Sequence, residues 1–378
     1  MKIAVLVSGG VDSSVVVDLL HRQGHELHLF YIRIGTDNGE GDCSAEEDIE
    51  MCTLIARKYG LPLKTVSLHE EYWDSVMAYT LRTVREGLTP HPDMMCNKLV
   101  KFGFFEERWG HEFDKVATGH YASVVEKDGK YWLATAADPV KDQTDFLAQI
   151  SYSQLSHLIF PLGDIPKSEV RRLAQEAGLP TAVRKDSQGI CFLGKINYND
   201  FIERHLGTRP GPIVEIETGK KIGTHRGYWF HTIGQRKGLG LSGGPWYVVR
   251  KNVRDNVVYV SNGYDTRRQY GRRIPVEEMH WITENPFAGA ENAAGEGPAP
   301  AELPVAFKTR HSPEFMTGRI VHLGQGGYVV ESDTDVQGIA PGQYAIIYTP
   351  DKKLCLGSGM ISLPESRKKK KHYGESQA

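Results

Sequence analysis

Val5-Leu6-Val7-Ser8-Gly9-Gly10-Val11-Asp12-Ser13-Ser14 is the stretch on which the fold reading turns. Residues 3–7 are an all-apolar run, as in a strand buried on both faces. From Ser13 a helix carries Val16, Leu19 and Leu20 on to a stop at Gly24. Between them Gly9 and Gly10 let the chain turn through angles that side chains forbid, which brings backbone N–H groups close to an anion. Ser8, Ser13 and Ser14 add hydroxyls, and the helix points its positive end at the same spot. This is a phosphate cradle, but it lacks the lysine of GxxxxGK[ST] that grips the β- and γ-phosphates. A cradle of that kind suits chemistry at the α-phosphate, with pyrophosphate held and leaving as a unit. A plain strand-to-helix turn would need the glycines alone and not the whole Ser-Gly-Gly-Val-Asp-Ser string.

Outward from this loop, strands at Leu27–Arg33, Lys64–Leu68 and Lys115–Thr118 alternate with helices. One helix opens at a capping box, Ser44-Ala45-Glu46-Glu47, with Ile49, Cys52, Ala56 and Tyr59 on one face. Another follows Tyr72. The rhythm predicts parallel pairing in an α/β, doubly wound sheet, and Thr118-Gly119-His120 falls at the strand end where such sheets bind ligands. Residues 121–136 read as a hairpin turning at Asp128-Gly129, and Lys167–Ala177 as a helix stopped by Gly178. Past about residue 205 helical signals fade, and runs such as Trp246–Val249 and Val257–Val260 predict a mostly β second half. Residues 285–304, rich in Ala, Gly and Pro, read as a surface insertion, and 367–371 as part of a disordered basic tail.

With 40% apolar and 24% charged residues the composition is that of a soluble protein of two or three domains. No run approaches the ~18 apolar residues of a membrane span. Met1-Lys2 leads into a strand rather than a signal peptide, so a cytoplasmic protein is expected. A net charge of −2 does not itself point to nucleic acid. RNA binding would have to come from local clusters such as Arg250-Lys251-Asn252-Val253-Arg254, Arg267-Arg268 and Arg272-Arg273.

Five cysteines without a CxxC pair make neither a disulfide framework nor a zinc site, and no metal is expected. Cys52, on an apolar helix face, and Cys355, in a β run, read as core residues. Cys43 reads as a bystander. Cys96 lies in "GLTPHPDMMCNKLVKF", where Pro90 and Pro92 are expected to delay the helix until about Asn97. A thiol near a helix start, with Lys98 beside it, has a lowered pKa, and Asp93 offers a carboxylate for proton transfer. Cys191, in "RKDSQGICFLGK", sits in a charged, glycine-flanked setting unlike a core position.

These strings, with "CSAEEDIE", "ATGHYA", "KDQTDFL", "FPLGDIPKSEVRRLAQEAGLP", "TIGQRKGLG" and "CLGSGMI" in the same order, resemble the tRNA-specific 2-thiouridylases, a family of N-type ATP pyrophosphatases. The resemblance runs over nearly the whole chain. It implies a PP-loop ATP-pyrophosphatase domain (1–204), a small central tRNA-binding domain (205–274), a C-terminal β-barrel (275–364) and a tail (365–378). It further implies that the wobble uridine of tRNA is adenylated at its C2 oxygen by ATP with Mg2+, then thiolated from a persulfide on Cys191. Cys96 would be the nucleophile that releases the product through a transient Cys96–Cys191 disulfide, and Asp93 the acid/base.

By position, Leu6, Val7, Ser8, Gly9, Gly10, Val11, Asp12, Ser13, Ile32 and Gly119 would bind ATP. His91, Pro92 and Asp93 would face the target base. His120, Lys141, Asp142, Gln143, Arg310, His311 and Gln343 would contact tRNA, although Gln143 and Gln343 read equally well as solvated surface. The partners implied are tRNA and a sulfur-relay protein or cysteine desulfurase, with a monomeric chain and no membrane. Five positions at three places depart from the family's usual residues: Leu6 stands for Gly, His91 for Asn, and His311-Ser312-Pro313 for Tyr-Arg-Gln. Two rival readings use the same loop, a PP-loop synthetase acting on a small molecule and an RNA-binding protein with a vestigial ATP site. The first has no use for two reactive thiols, and the intact loop speaks against the second.

Overall fold

The computed structural model describes residues 1–35, 43–185, 198–263, 267–288, 301–324 and 327–362. The first two hundred residues supply β1 (Lys2–Leu6), β2 (Glu26–Arg33), β3 (Leu63–Ser67), β4 (Lys115–Ala117), a hairpin of β5 (Ser123–Lys127) and β6 (Lys130–Ala134), and the two-residue β7 (Leu158–Ile159). Strands β3-β2-β1-β4-β7 form, in that order, the expected parallel sheet. β7 was not foreseen, because two residues are too few to show a period.

Alternate β1 residues face opposite layers. Ile3 and Val5 pack with helix α1 (Val11–Arg22), helix α2 (Cys43–Tyr59) and the helix Lys167–Glu176 through Val15, Ile55 and Val170. Ala4 and Leu6 pack on the other face with Tyr72, Val76, Val100 and Phe105 from the helical runs 69–85 and 92–108. The chain leaves β1 toward β2 on one side and reaches β4 on the other, so the order reverses between them and opens a crevice at their carboxyl ends.

The run 92–108 corrects one expectation. Pro92 stands at its first position and His91 caps it, with Nδ1 accepting from the Met94 amide at 3.4 Å. Proline is well suited there, since the N–H it lacks would have no helical partner. The helix therefore begins before Cys96 rather than after it. From Cys96 to Phe104 its hydrogen bonds run in the wide π register. α2 begins at Cys43, one residue before the expected capping box; the side chains of Cys43 and Ser44 lie outside the described residues.

The helix Tyr198–Leu206, which the sequence reading passed over, buries Phe201 and Ile202 in the first core. It leads to a four-stranded middle sheet in which β8 (Gly211–Glu215), β9 (Lys221–His225), β10 (Trp246–Asn252) and β11 (Val257–Asn262) run in the order β10-β11-β8-β9. Then β12 (Tyr270–Trp281), β13 (Glu302–Lys308), β14 (Met316–His322), β15 (Tyr328–Gln337), β16 (Tyr344–Tyr348) and β17 (Leu354–Ile361) close into a barrel through β12–β17 pairing. β17 also pairs with β6, so the early hairpin extends the barrel's sheet.

The 285–304 insertion is not surface throughout. Phe287 is buried in the barrel core against Trp281 and Tyr328, and Glu302–Pro304 open β13; residues 289–300 and the basic tail lie outside the described residues.

A buried ion pair joins barrel to sheet domain. Lys308 Nζ lies 3.2 Å from Asp142 Oδ2, both side chains being at most 2% exposed. Asp142 also accepts from Thr144 and from the Ala136 amide, and the Lys308 ammonium sits 4.3 Å from the centre of the Phe315 ring. Removing one partner strands the other charge, so Lys308→Met or Asp142→Ala is expected to cost about 3–5 kcal/mol in urea unfolding. A loss under 1 kcal/mol would show that the pair does not hold the barrel in place.

Candidate functional site

The crevice at the ends of β1 and β4 holds a cavity of about 290 Å3. From the loop it is lined by Leu6, Val7, Ser8, Asp12 and Ser13, from the adjoining strands by Tyr31, Ile32, Thr118 and Gly119, and from α2 by Asp48. Cys96, Val100 and Lys101 of the π segment form a wall, with His120 and Gln143 beside them. The thiol singled out in the sequence and the phosphate cradle thus share one cavity. Thr118 lines it as the strand-end signal suggested, whereas Asp48, Lys101 and Tyr31 line it without a sequence signal that would have found them.

The loop is built for an anion. Gly9 adopts φ +72°, and a Cβ there would lie 2.7 Å from Asp48 Cα, so only glycine fits. Ser13 Oγ accepts from the Ser8 amide at 3.2 Å and Ser14 Oγ donates to the Gly10 carbonyl at 2.8 Å, which fixes the turn. Gly10, the N-cap of α1, supplies no side-chain cap, which leaves first-turn amides to a ligand. A Cβ on Gly119 would come within 3.0 Å of the Ser13 amide nitrogen, so glycine there lets the end of β4 approach that turn. Gly9, Gly10 and Val11 do not line the cavity; Val11 is core.

Distant basic groups brace the loop. Lys167 Nζ contacts both Asp12 carboxylate oxygens at 2.7 and 2.8 Å, and Tyr121 Oη donates to Asp12 Oδ1 at 2.7 Å. Arg184 donates to the Gly9 carbonyl at 2.7 Å and pairs with Asp48 at 2.7 Å. Asp12 and Asp48 are the carboxylates that could hold magnesium on a nucleotide's phosphates. The cavity volume is near the lower end of ligand sites, roughly 300–1,000 Å3, and the residues present fit a nucleotide.

Cys52 and Cys355 are buried with free thiols. Burial pushes the Cys52 thiol up to about 12 and raises that of Cys355. Cys96 is likewise buried, only 5% exposed. Lys98 turns to Gln149 Oε1 at 3.0 Å, and burial lowers its pKa. Cys191 lies outside the described residues, and with it the proposed disulfide.

Around Cys96 the barrel meets the sheet domain. His91 is buried, which lowers its pKa against the pull of Asp93 and Asp145 and suits the neutral ring that accepts from Met94. Its ring lies 5.6 Å from Phe146, which lies 4.6 Å from His311. His311 Nδ1 is 2.8 Å from the buried Asp145, and that hydrogen bond raises the histidine's pKa. Pro92 is buried and Asp93 partly exposed.

Gln343 donates to the Pro90 carbonyl at 2.7 Å, and Gln143 Oε1 accepts from the Tyr121 amide at 3.1 Å, so neither is a merely solvated side chain. Asp142 is buried with Lys308, Lys141 is partly exposed and Arg310 exposed. His120 sits at the cavity with its pKa held well below the usual value, first by burial and then by Lys101. The basic clusters are largely occupied: Lys251 is partly buried and donates to the His231 carbonyl, while Arg272 and Arg273 pair with Asp335 and Glu331.

Comparison with known proteins adds three matches along the chain: "tRNA methyl transferase HUP domain" over residues 1–195, "tRNA methyl transferase PRC-barrel domain" over 199–262, and "Aminomethyltransferase beta-barrel domain" over 272–361. The tRNA-specific 2-thiouridylase MnmA of Parabacteroides distasonis is 61% identical over 96% of this chain and 99% of its own length. Its namesake in Porphyromonas gingivalis is 60% identical over 96% and 99%, and tRNA-specific 2-thiouridylase MnmA 1 of Bacteroides thetaiotaomicron 59% over 96% and 100%.

Gly9→Ala forces a left-handed backbone and a clash with Asp48. It is expected to lower stability by about 1–3 kcal/mol in urea unfolding and to abolish nucleotide-dependent thermal stabilisation. A variant stabilised by ATP as well as the parent chain would show that this turn is not the cradle.

Proposed function

The chain belongs to the tRNA-specific 2-thiouridylase family, and on that premise we propose that Cys96, Cys191 and Asp93 carry its chemistry at the β1/β4 cavity. The activity is ATP-dependent 2-thiolation of the wobble uridine of tRNA, yielding 2-thiouridine, AMP and pyrophosphate. Sulfur reaches it as a persulfide from a sulfur-relay protein or cysteine desulfurase. Among the described residues no helix is long and apolar enough to cross a membrane.

The observation that carries the assignment is the Cys96 thiol lining the same cavity as Ser8, Asp12 and Ser13. The uracil O2 is a poor leaving group, and its attack on the α-phosphorus turns it into AMP. Ser8, Ser13 and the first-turn amides of α1 hold the departing pyrophosphate. The base must leave its stack to reach them, and the segment His91–Asp93, capped by the barrel through Gln343, lines its approach. Asp93, three residues before Cys96 on one helical run, takes the N3 proton.

The terminal sulfur of the Cys191 persulfide attacks C2, and AMP leaves with the former O2. Cys96 then attacks Sγ of Cys191, expelling 2-thiouridine and forming the Cys96–Cys191 disulfide, which a thiol reduces. Reach supports the pairing. Arg184 is anchored to Gly9, and the chain from there to Cys191 extends at most roughly 25 Å. The tRNA contacts proposed are Lys141 and Arg310 on phosphates, with His120, Asp142, Gln143, His311 and Gln343 shaping the surface beside the base.

The two thiols have separable signatures. With ATP, tRNA and a persulfide donor, Cys191→Ser should yield at least a hundredfold less 2-thiouridine by nucleoside mass spectrometry and no protein–tRNA adduct. Cys96→Ser should instead trap a tRNA–S–S–protein adduct that dithiothreitol releases. Normal 2-thiouridine yield from either variant would remove that cysteine from the mechanism.

A further inference from the structure

The phosphate loop has no lysine, yet a lysine lines its cavity from across the crevice. Lys101 is the one Lys or Arg among the described residues lining it, and it shares the π segment Cys96–Phe104 with Cys96 and Val100. In an α-helix, residues five apart diverge by about 140°, which would turn Lys101 away from the wall that Cys96 occupies. The i→i+5 register, about 4.4 residues per turn, returns the fifth residue to nearly the same face. Cys96, Val100 and Lys101 accordingly all face the cavity. The wide turn delivers a cation and a thiol to one wall, opposite the cradle.

Other basic groups near the loop have different tasks. Lys167 is engaged with both oxygens of Asp12, and Arg184 with Gly9 and Asp48; neither lines the cavity. Lys98, three residues before Lys101, is directed to Gln149. The Lys101 ammonium lies close enough to His120, also a lining residue, to act on that ring electrostatically.

We propose that Lys101 is a catalytic residue that binds the α-phosphate on the Cys96 side of the cavity, supplying the cation that the loop omits. The inference rests on the thiolation reading and specifies its first step. As the bond from uracil O2 to the α-phosphorus forms, the bond from that phosphorus to the β-bridging oxygen breaks. Pyrophosphate departs with the electron pair and the N3 proton passes to a carboxylate. Negative charge builds on the α-phosphate oxygens during this exchange and again when the C2–O bond breaks and AMP leaves. A fixed ammonium stabilises both stages, whereas a lysine in the loop would grip the pyrophosphate and slow its release. Lys101 acts on the phosphate and not on the thiol, which has its own position on the same wall.

The test is single-turnover pyrophosphate release by the full chain with saturating ATP and tRNA, alongside the pH profile of Cys96 alkylation. Lys101→Met should release pyrophosphate roughly 10²–10³ times more slowly, with ATP affinity changed less than tenfold and the alkylation profile unmoved. Lys101→Arg should recover at least tenfold of the loss, and Lys101→Gln replaces the methionine variant if that one misfolds. Release within threefold of the parent chain would overturn the proposal, as would an alkylation profile that shifts while release is intact. Failure of the parent chain itself to release pyrophosphate with tRNA would instead refute the thiolation reading on which this one stands.

Discussion

Everything at this site depends on the turn at Gly9. Its positive φ and the contact with the α2 backbone leave room for no side chain, so the chain from β1 reverses there and presents amides instead. Arg184 fastens the same turn from far away in sequence, taking the Gly9 carbonyl and Asp48 together, while Arg171 holds the Arg184 carbonyl at 2.6 Å. Loop, α2 and the chain leading toward Cys191 are thereby tied at one point. A phosphate site made this way is preorganised: its donors need not be gathered when charge develops.

The barrel is a second constraint on the same chemistry. Gln343 grips the chain at Pro90, His311 and Asp145 seat Phe146 against His91, and Lys308 neutralises Asp142 in the interior. A buried ion pair adds little net stability over an apolar pair, because desolvation offsets the Coulomb gain; its clearest use is to set register. Here the register is that of the segment 141–146 against β13, and through Phe146 it extends to the residues preceding Cys96. The barrel therefore braces the chain that leads into Cys96 from behind, while the cavity itself is lined by the sheet domain.

The parallel sheet, the loop and the hairpin were legible because each rests on a local signal: a double-faced apolar run, a glycine string before a helix, and Asp128-Gly129, which adopts φ +54° and +72°. Local signals also misled. Two prolines near Cys96 suggested a late helix, but one of them is the helix's first residue, a role only the capping geometry of His91 reveals. Low complexity at 285–304 hid Phe287, whose burial is decided by the barrel and not by its neighbours. The charge runs left an RNA-following surface open as one of two readings; Lys251 is partly buried and the arginines of β12 answer acidic residues on β15. The pairings Lys167–Asp12, Arg184–Gly9 and Lys308–Asp142 each span more than a hundred residues and left no periodic trace.

The electrostatics of the cavity explain why such long-range cations are needed at all. A polyanion site that carries two carboxylates, Asp12 and Asp48, repels phosphate unless each carboxylate is matched by positive charge. Lys167 answers Asp12 and Arg184 answers Asp48, both in partly buried pairs where screening is weaker than at the surface. That arrangement suits a ligand that brings its own divalent cation, which Asp12 and Asp48 would hold while the loop amides bind the anion. With Asp12 at the start of α1, Asp48 on α2 and basic side chains behind them, the site favours a metal-complexed pyrophosphate that can be released intact.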